Sequence, residues 1–162
     1  MSLLGTLDNT DFHLYTWRGS FLPLHKNMDP KTVLQKESLK VTPTRIAVLS
    51  YLYSTKLPCE VDDIFHHVDK EHHDADRVTI YRVLEALSEK GLIKKLEFGE
   101  GKYRYEIAGD DHHHLICEKC GKIEDISDCG ISRMEKDIKK KKNFVIKRHS
   151  LEFYGVCQSC QI

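Results

Sequence analysis

A chain of 162 residues, 40% hydrophobic and 31% charged, has the length of one ordinary domain or two small ones and the balance of a soluble globular protein. Its formal charge at pH 7 is zero, and residues 28–106 (13 Lys/Arg against 14 Asp/Glu) and 107–162 (10 against 9) are each near neutral, so any DNA contact has to come from a local basic face. No apolar run approaches the roughly 18 residues of a membrane span, and MSLLGTLDNTDF lacks the basic start and apolar stretch of a secretory signal.

A cytoplasmic location is therefore expected, where thiols stay reduced and paired CxxC motifs favour metal over disulfides. Residues 1–27 are mixed, with Gly5, Gly19 and Pro23 and no clear period. They read as a loosely attached arm or as a stretch ahead of a natural start at Met28; docking of the arm onto the body is the other possibility. Asp29-Pro30 then opens a helix whose apolar spacing falls on Val33, Leu34 and Leu39.

From Thr42 the pattern sharpens. Thr42-Pro43 is an N-cap followed by proline at the first helical position, and Ile46, Leu49 and Tyr53 recur at helical spacing, with Val48 and Leu52 widening the face. Pro58 breaks this helix. Glu60 to Val68 makes a shorter one, with Val61, Ile64, Phe65 and Val68 on one side. After the loop His72-His73-Asp74-Ala75-Asp76, a third helix runs from Arg77 to Lys90 with Val78, Tyr81, Leu84 and Leu87 among its spaced positions; Gly91 is placed to end it.

Leu92 to Phe98, the turn Gly99-Glu100-Gly101 and Lys102 to Ile107 form a hairpin. Three helices and a two-stranded ribbon with a Gly-rich tip are the order of a winged helix-turn-helix, whose last helix enters the DNA major groove. An all-α or α/β enzyme fragment could share the helices, but the closing hairpin argues against it.

The pattern then changes. His112 to Cys117 is a short strand, Gly121 turns the chain, and Lys122 to Ile126 runs back. Ile131, Met134 and Ile138 mark an amphipathic helix ending in Lys139 to Lys142, a solvated helix end whose cations oppose the negative pole of the dipole. Phe144 to Val156 is strand-like, with His149, Leu151 and Phe153 alternating. The expectation is α+β: residues 28–106 a winged helix-turn-helix and residues 107–162 a small α/β unit. A core that small usually needs a metal, a disulfide or a partner subunit.

Cys117-x-x-Cys120 and Cys157-x-x-Cys160 stand at the first and last strands of this unit. Four thiolates close a tetrahedral zinc site, so one structural Zn2+ would pin the two ends together. Buried free cysteine is the bland alternative; it suits Cys59 or Cys129, not two matched pairs. A redox CxxC would need one pair beside a βαβ pattern.

On a strand, His112 and His114 point one way and His113 the other. With Glu106 at the end of the wing and Asp125 on the returning strand, they make a two-histidine, two-carboxylate set. Such a set suits exchangeable iron, manganese or zinc. The competing reading is a run of solvated surface histidines, as expected for His66, His67, His72 and His73.

TPTR at 42–45, TIYRVLEAL at 79–87, HHHLICEKCGKIEDI at 112–126 and HSLEFYGVCQSC at 149–160 together resemble the ferric uptake regulator family over roughly residues 29–161. The resemblance implies a dimeric, metal-dependent DNA-binding regulator, usually a repressor, binding palindromic operators as a homodimer through a C-terminal dimerisation domain. It implies structural zinc on Cys117, Cys120, Cys157 and Cys160, and the sensed metal on Glu106, His112, His114 and Asp125. A second site would draw on His113 and His149, with Asp111. Tyr81 would contact bases and Arg82 bases or phosphate; Arg77 and Thr79 would contact phosphates, Lys40 the minor groove and Arg45 the backbone. A core aromatic is the alternative for Tyr81.

Two positions depart from the family pattern. Pro58 stands where a further sensory histidine is common, leaving Cys59 or Glu60 as substitutes, and Ser132 stands where a carboxylate often completes the second site. Iron (Fe2+) is the expected signal, since zinc sensors of the family often carry cysteine at the position of Glu106; Mn2+ and Zn2+ remain open. Asp125 resembles the aspartate of the peroxide-sensing branch, so a peroxide sensor is the runner-up, with a zinc uptake regulator as another. No enzymatic activity is expected. A metallohydrolase would need a cleft and a general base, and a metal-storage protein would not need the winged helix.

Overall fold

The computed structural model describes residues 28–71, 75–99, 101–109, 112–127 and 129–161. The arm 1–27, the loop residues His72 and His73, and Asp111 lie outside the described residues. The first half contains α1 (Pro30–Lys36), α2 (Pro43–Ser54), β1 (Cys59–Glu60), α3 (Val61–Lys70), α4 (Arg77–Glu89), β2 (Ile93–Glu97) and β3 (Tyr103–Ile107). The second contains β4 (His113–Cys117), β5 (Ile123–Ile126), α5 (Ile131–Lys142), β6 (Glu152–Gly155) and a 3-10 turn at Gln158–Cys160.

Local chemistry sets the helix ends. The Asp29 carboxylate accepts from the Thr32 N–H at 3.1 Å, the Thr42 hydroxyl from Arg45 at 3.3 Å and Asp76 from Thr79 at 2.7 Å, each satisfying an otherwise orphaned amide. Gly91, at φ +66°, ends α4; the Leu92 N–H reaches back to the Leu87 carbonyl at 3.0 Å, a closure that favours glycine in the left-handed conformation. α2 ends at Ser54, before Pro58, with Thr55 as its C-cap.

The helical core runs through Val33, Leu34, Val48, Leu49, Leu52, Ile64, Val68, Leu84 and Leu87, each at most 1% exposed. On α4 the buried face is Ile80, Val83, Leu84 and Leu87, whereas Val78 and Tyr81 are 54% and 51% exposed. The expected Val78–Tyr81–Leu84–Leu87 stripe is thus corrected to one rotated toward Ile80 and Val83. Tyr81 therefore lies outside the core.

The winged sheet has three strands, ordered β1-β3-β2 and antiparallel throughout, with Lys94 opposite Glu106 and Glu60 opposite Arg104. β1 is too short to leave a periodic signal, so the hairpin alone was legible. The second sheet is ordered β5-β4-β6; β4 pairs antiparallel with β5 and parallel with β6, putting His114 opposite both Asp125 and Glu152.

The strand expected from Phe144 to Val156 shrinks to Glu152–Gly155. Phe144 and Val145 are 62% and 71% exposed and have no ladder partner among the described residues; apolar alternation without a pairing strand does not make sheet. α5 buries none of its side chains, and Met134 and Ile138 of its apolar stripe face outward.

Candidate metal centres and DNA interface

The sulfurs of Cys117, Cys120, Cys157 and Cys160 lie within 4.8 Å of one another, with Cys120 and Cys157 at 3.7 Å. Zn–S bonds of about 2.3 Å in a tetrahedron place sulfurs roughly 3.8 Å apart, so the donor set fits zinc. The turn after β4 and the 3-10 turn after β6 each bring a pair to the centre. The Cys157 N–H donates to the Cys117 sulfur at 3.3 Å. That bond, with the amide of Cys120, holds the Cys117 thiol down at about 6. The Ser159 hydroxyl lowers Cys157, while hydrogen bonds to Cys157 and Cys120 push Cys160 up to about 12. Four crowded thiols cannot all ionise together without a cation.

A second group joins Glu106, His112 and His114, whose donor atoms also lie within 4.8 Å of one another. Glu106 Oε2 is 3.2 Å from His112 Nε2 and 3.4 Å from His114 Nε2, and the two rings meet edge-on at 87°. Glu106 and His114 are 6% and 5% exposed, so these are not solvated surface groups. Burial alone would raise the Glu106 carboxyl, but hydrogen bonds from both imidazoles, and their charge, outweigh it and hold the group at about 2. A carboxylate that is already ionised is ready to bind a cation.

Asp125 is placed differently from its companions. Its Oδ1 is 3.2 Å from His114 Nδ1, the ring nitrogen opposite the one facing Glu106. It therefore backs the imidazole from behind, an arrangement that fixes the ring of a metal-binding histidine.

Neither substitute for the Pro58 position joins this group. Cys59 is 7% exposed, with its sulfur 3.1 Å from the Thr55 hydroxyl. It pairs with Tyr105, so it shares the sheet face opposite Glu106. The Glu60 carboxylate is engaged by Lys102 at 2.6 Å and Arg104 at 2.9 Å. What approaches Glu106 from the wing is Lys94, with Nζ 3.8 Å from Oε1.

On the other face of β4, His113 Nε2 is 2.8 Å from His149 Nε2, and His113 Nδ1 is 3.0 Å from the Cys129 sulfur. His149 Nδ1 meets Glu135 Oε1 at 3.0 Å. Glu135 is three residues beyond Ser132 on α5, and therefore on the same helical face. Looking one turn along the helix would have found this carboxylate.

The candidate DNA surface is the outer face of α4, where Tyr81 and Arg82 are exposed. Thr79 gives its backbone N–H to the Asp76 cap. The Arg77 guanidinium pairs with Asp62 and sits 4.7 Å over the Phe65 ring, linking α4 to α3. Arg45 Nη1 donates to the Lys40 carbonyl at 2.8 Å, leaving the Lys40 side chain exposed. His67 stacks on Tyr51 and pairs with Glu71 and belongs to neither metal-ligand group.

Helices α1 to α4, a wing, a four-thiol cluster and a histidine–carboxylate cluster define a winged-helix protein with two separate metal-ligand sets. The family model described as the ferric uptake regulator family matches residues 36–154. The peroxide operon regulator of Bacillus subtilis is 33% identical over 136 residues, covering 84% of this chain and 94% of that protein. Among solved structures, the ferric uptake regulator Fur of Helicobacter pylori, described as having three functional metal-binding sites, superposes with a TM-score of 0.72 at 29% identity, covering 81% and 88% of the two chains. The Campylobacter jejuni peroxide stress regulator gives 0.65 at 31%, covering 82% and 100%.

The chain belongs to the ferric uptake regulator family and is a metal-dependent, DNA-binding transcriptional regulator. Regulators of this family bind DNA, act as dimers and bind metal ions. Among the described residues no helix is long and apolar enough to cross a membrane.

Proposed function

We propose that this regulator is a cytoplasmic, iron-responsive repressor that binds a palindromic operator as a homodimer and catalyses no reaction. The observation that carries the iron assignment is the Glu106–His112–His114 group, with nitrogen and oxygen donors and no thiolate. In this reading residues 28–106 form the DNA-binding domain and residues 107–162 the dimerisation domain. Zn2+ on Cys117, Cys120, Cys157 and Cys160 holds the latter closed.

Glu106 belongs to the wing strand β3, while His112 and His114 belong to the start of the second sheet. A sensed cation would supply charge and fixed ligand angles at the junction. The closed arrangement, which brings these three side chains together, is then favoured over the open one. Asp125 sets the His114 ring by accepting from Nδ1. Two α4 helices related by a dimer two-fold would enter successive major grooves, with Tyr81 and Arg82 at base edges and Lys40, Arg45, Arg77 and Thr79 along the backbone. His113 and His149 would make the second metal site, with Asp111 as the candidate carboxylate from the sequence and Glu135 backing the His149 ring at Nδ1.

Peroxide sensing is the second reading, favoured by Asp125 and by the B. subtilis peroxide operon regulator among the relatives. One experiment separates them: duplex binding titrated under Fe2+, Mn2+ and Zn2+, before and after peroxide, with mass analysis of His112 and His114. Iron-dependent binding that survives peroxide supports the iron repressor. Loss of binding with oxygen added to a ligand histidine supports the peroxide sensor. Binding that responds to none of the metals would overturn both, and His114→Ala should abolish the response while leaving zinc in place.

A further inference from the structure

Phe98 follows β2 directly and precedes the glycine of the wing turn, a position where side chains normally meet solvent, yet it is 4% exposed. The core of the helical half does not cover it. Phe98 is buried with Ile116 of β4 and Ile123 of β5, with Leu96 packed alongside, so a wing residue belongs to the core of the other sheet. Its ring meets the His114 ring edge-on, with centroids 5.3 Å apart at 70°.

Four groups thus constrain one imidazole: Glu106 at Nε2, Asp125 at Nδ1, and the rings of His112 and Phe98 edge-on against it, and of these two rings Phe98 alone belongs to the β2 side of the wing hairpin. The hydrogen bonds still allow the ring to tilt about the line joining its two nitrogens. An aromatic neighbour with a preferred edge-to-face geometry restricts that tilt. The tie expected from position 58 is absent, because Pro58 offers no ligand and Cys59 and Glu60 are committed elsewhere.

We propose that Phe98 is a positioning residue for His114 and that its ring carries the state of the sensory site into the wing. This rests on the assignment of His114 as a sensory ligand. When Nε2 is engaged by a cation, the ring orientation is set, and Phe98 with Leu96 and the wing is set with it. When the site is released the ring tilts, the edge-to-face contact loosens, and the wing is no longer held against the second sheet. Coupling between the metal site and the DNA-binding surface then runs through apolar packing as well as through Glu106. The coupling is reciprocal: bound DNA must tighten metal binding by the factor by which metal tightens DNA binding.

The test uses the full-length, zinc-loaded chain and a duplex selected by the wild type from a random library. Wild type, Phe98→Ala and Phe98→Leu are compared for duplex affinity with and without Mn2+ (Fe2+ if only iron activates), and for affinity toward that ion with and without duplex. Phe98→Leu keeps the cluster apolar and guards against simple unfolding of Phe98→Ala. Both variants should retain zinc and bind the duplex without the ion to within about two-fold of wild type. The gain on adding the ion should fall by roughly ten-fold in Phe98→Ala and at least about three-fold in Phe98→Leu, with an equal fall in the reciprocal measurement. A merely structural role would weaken binding alike with and without the ion, and that pattern overturns the proposal, as does an undiminished gain in either variant. If the wild type shows no gain with any of the three ions, the metal-responsive assignment itself fails, and this inference fails with it.

Discussion

Leu34, Leu49, Ile64, Leu84 and Leu87 are completely sealed in the helical half, while α5 of the second half exposes both Met134 and Ile138 and buries no side chain. Each fully buried leucine or isoleucine contributes about 2 kcal/mol, so burial is the main source of stability in the first half. The second sheet buries only Ile116 and Ile123 of its own aliphatic side chains, and its third cluster member, Phe98, is borrowed from the wing. Met134, Ile138, Phe144, Val145, Phe153 and Tyr154 remain exposed. The contrast teaches that hydrophobic burial holds one half, whereas the other has too small a core of its own and, in the function proposed above, relies on bound zinc and a second copy.

The sharpest break in this contrast comes from the thiolate cage. Cys117→Ser should remove the zinc and with it stabilisation on the order of 10 kcal/mol. The expected result is loss of the dimer in size-exclusion chromatography while far-UV circular dichroism still reports helices α1 to α4. A zinc-free dimer of full stability would end the cross-link account.

Leu84→Ala tests the other half. A cavity in a sealed core should cost about 2–5 kcal/mol in urea unfolding, with zinc content unchanged. Concurrent loss of zinc would mean that the halves do not stand on separate foundations.

Glu106 probes the junction between them, read on protein freed of its exchangeable ion. Its folded-state pKa of about 2 lies below the ordinary 4.5, so its contribution is complete above the carboxylate range and is lost as pH falls through that window toward 2. Wild type should therefore lose stability between pH 5 and pH 3 more steeply than Glu106→Gln, by on the order of 2 kcal/mol. Parallel pH profiles would refute the assignment. Thr42→Ala, which deletes the cap of α2, should cost only about 1 kcal/mol in the same urea assay, without changing zinc content or dimerisation.

What could be read without the fold was local or strictly spaced. Thr42-Pro43, Asp76 and Gly91 mark helix ends because caps act over three or four residues. The two CxxC pairs announce a cage because each pair is bidentate by itself. The alternation of His112, His113 and His114 assigns them to opposite faces because a strand has a period of two. Exposure of Tyr81 was less accessible: Val78, Tyr81, Leu84 and Leu87 satisfy helical spacing as well as the stripe that packs, and only contact with α2 and α3 chooses between them.

By itself, then, the sequence determined the order of the helices and of every strand but β1, the four-cysteine set, and the histidine–carboxylate set at the wing's end. The tertiary structure decided that Asp125 backs His114 at Nδ1, that Glu135 meets His149 at Nδ1, that Cys59 and Glu60 stay apart from the Glu106–His112–His114 group, and that Phe98 leaves the wing for the second sheet. The physical reason is range. Caps and periodicity act within a turn or a strand, whereas the partner of an imidazole nitrogen or of an aromatic edge depends on how distant strands pack, and no local spacing encodes that.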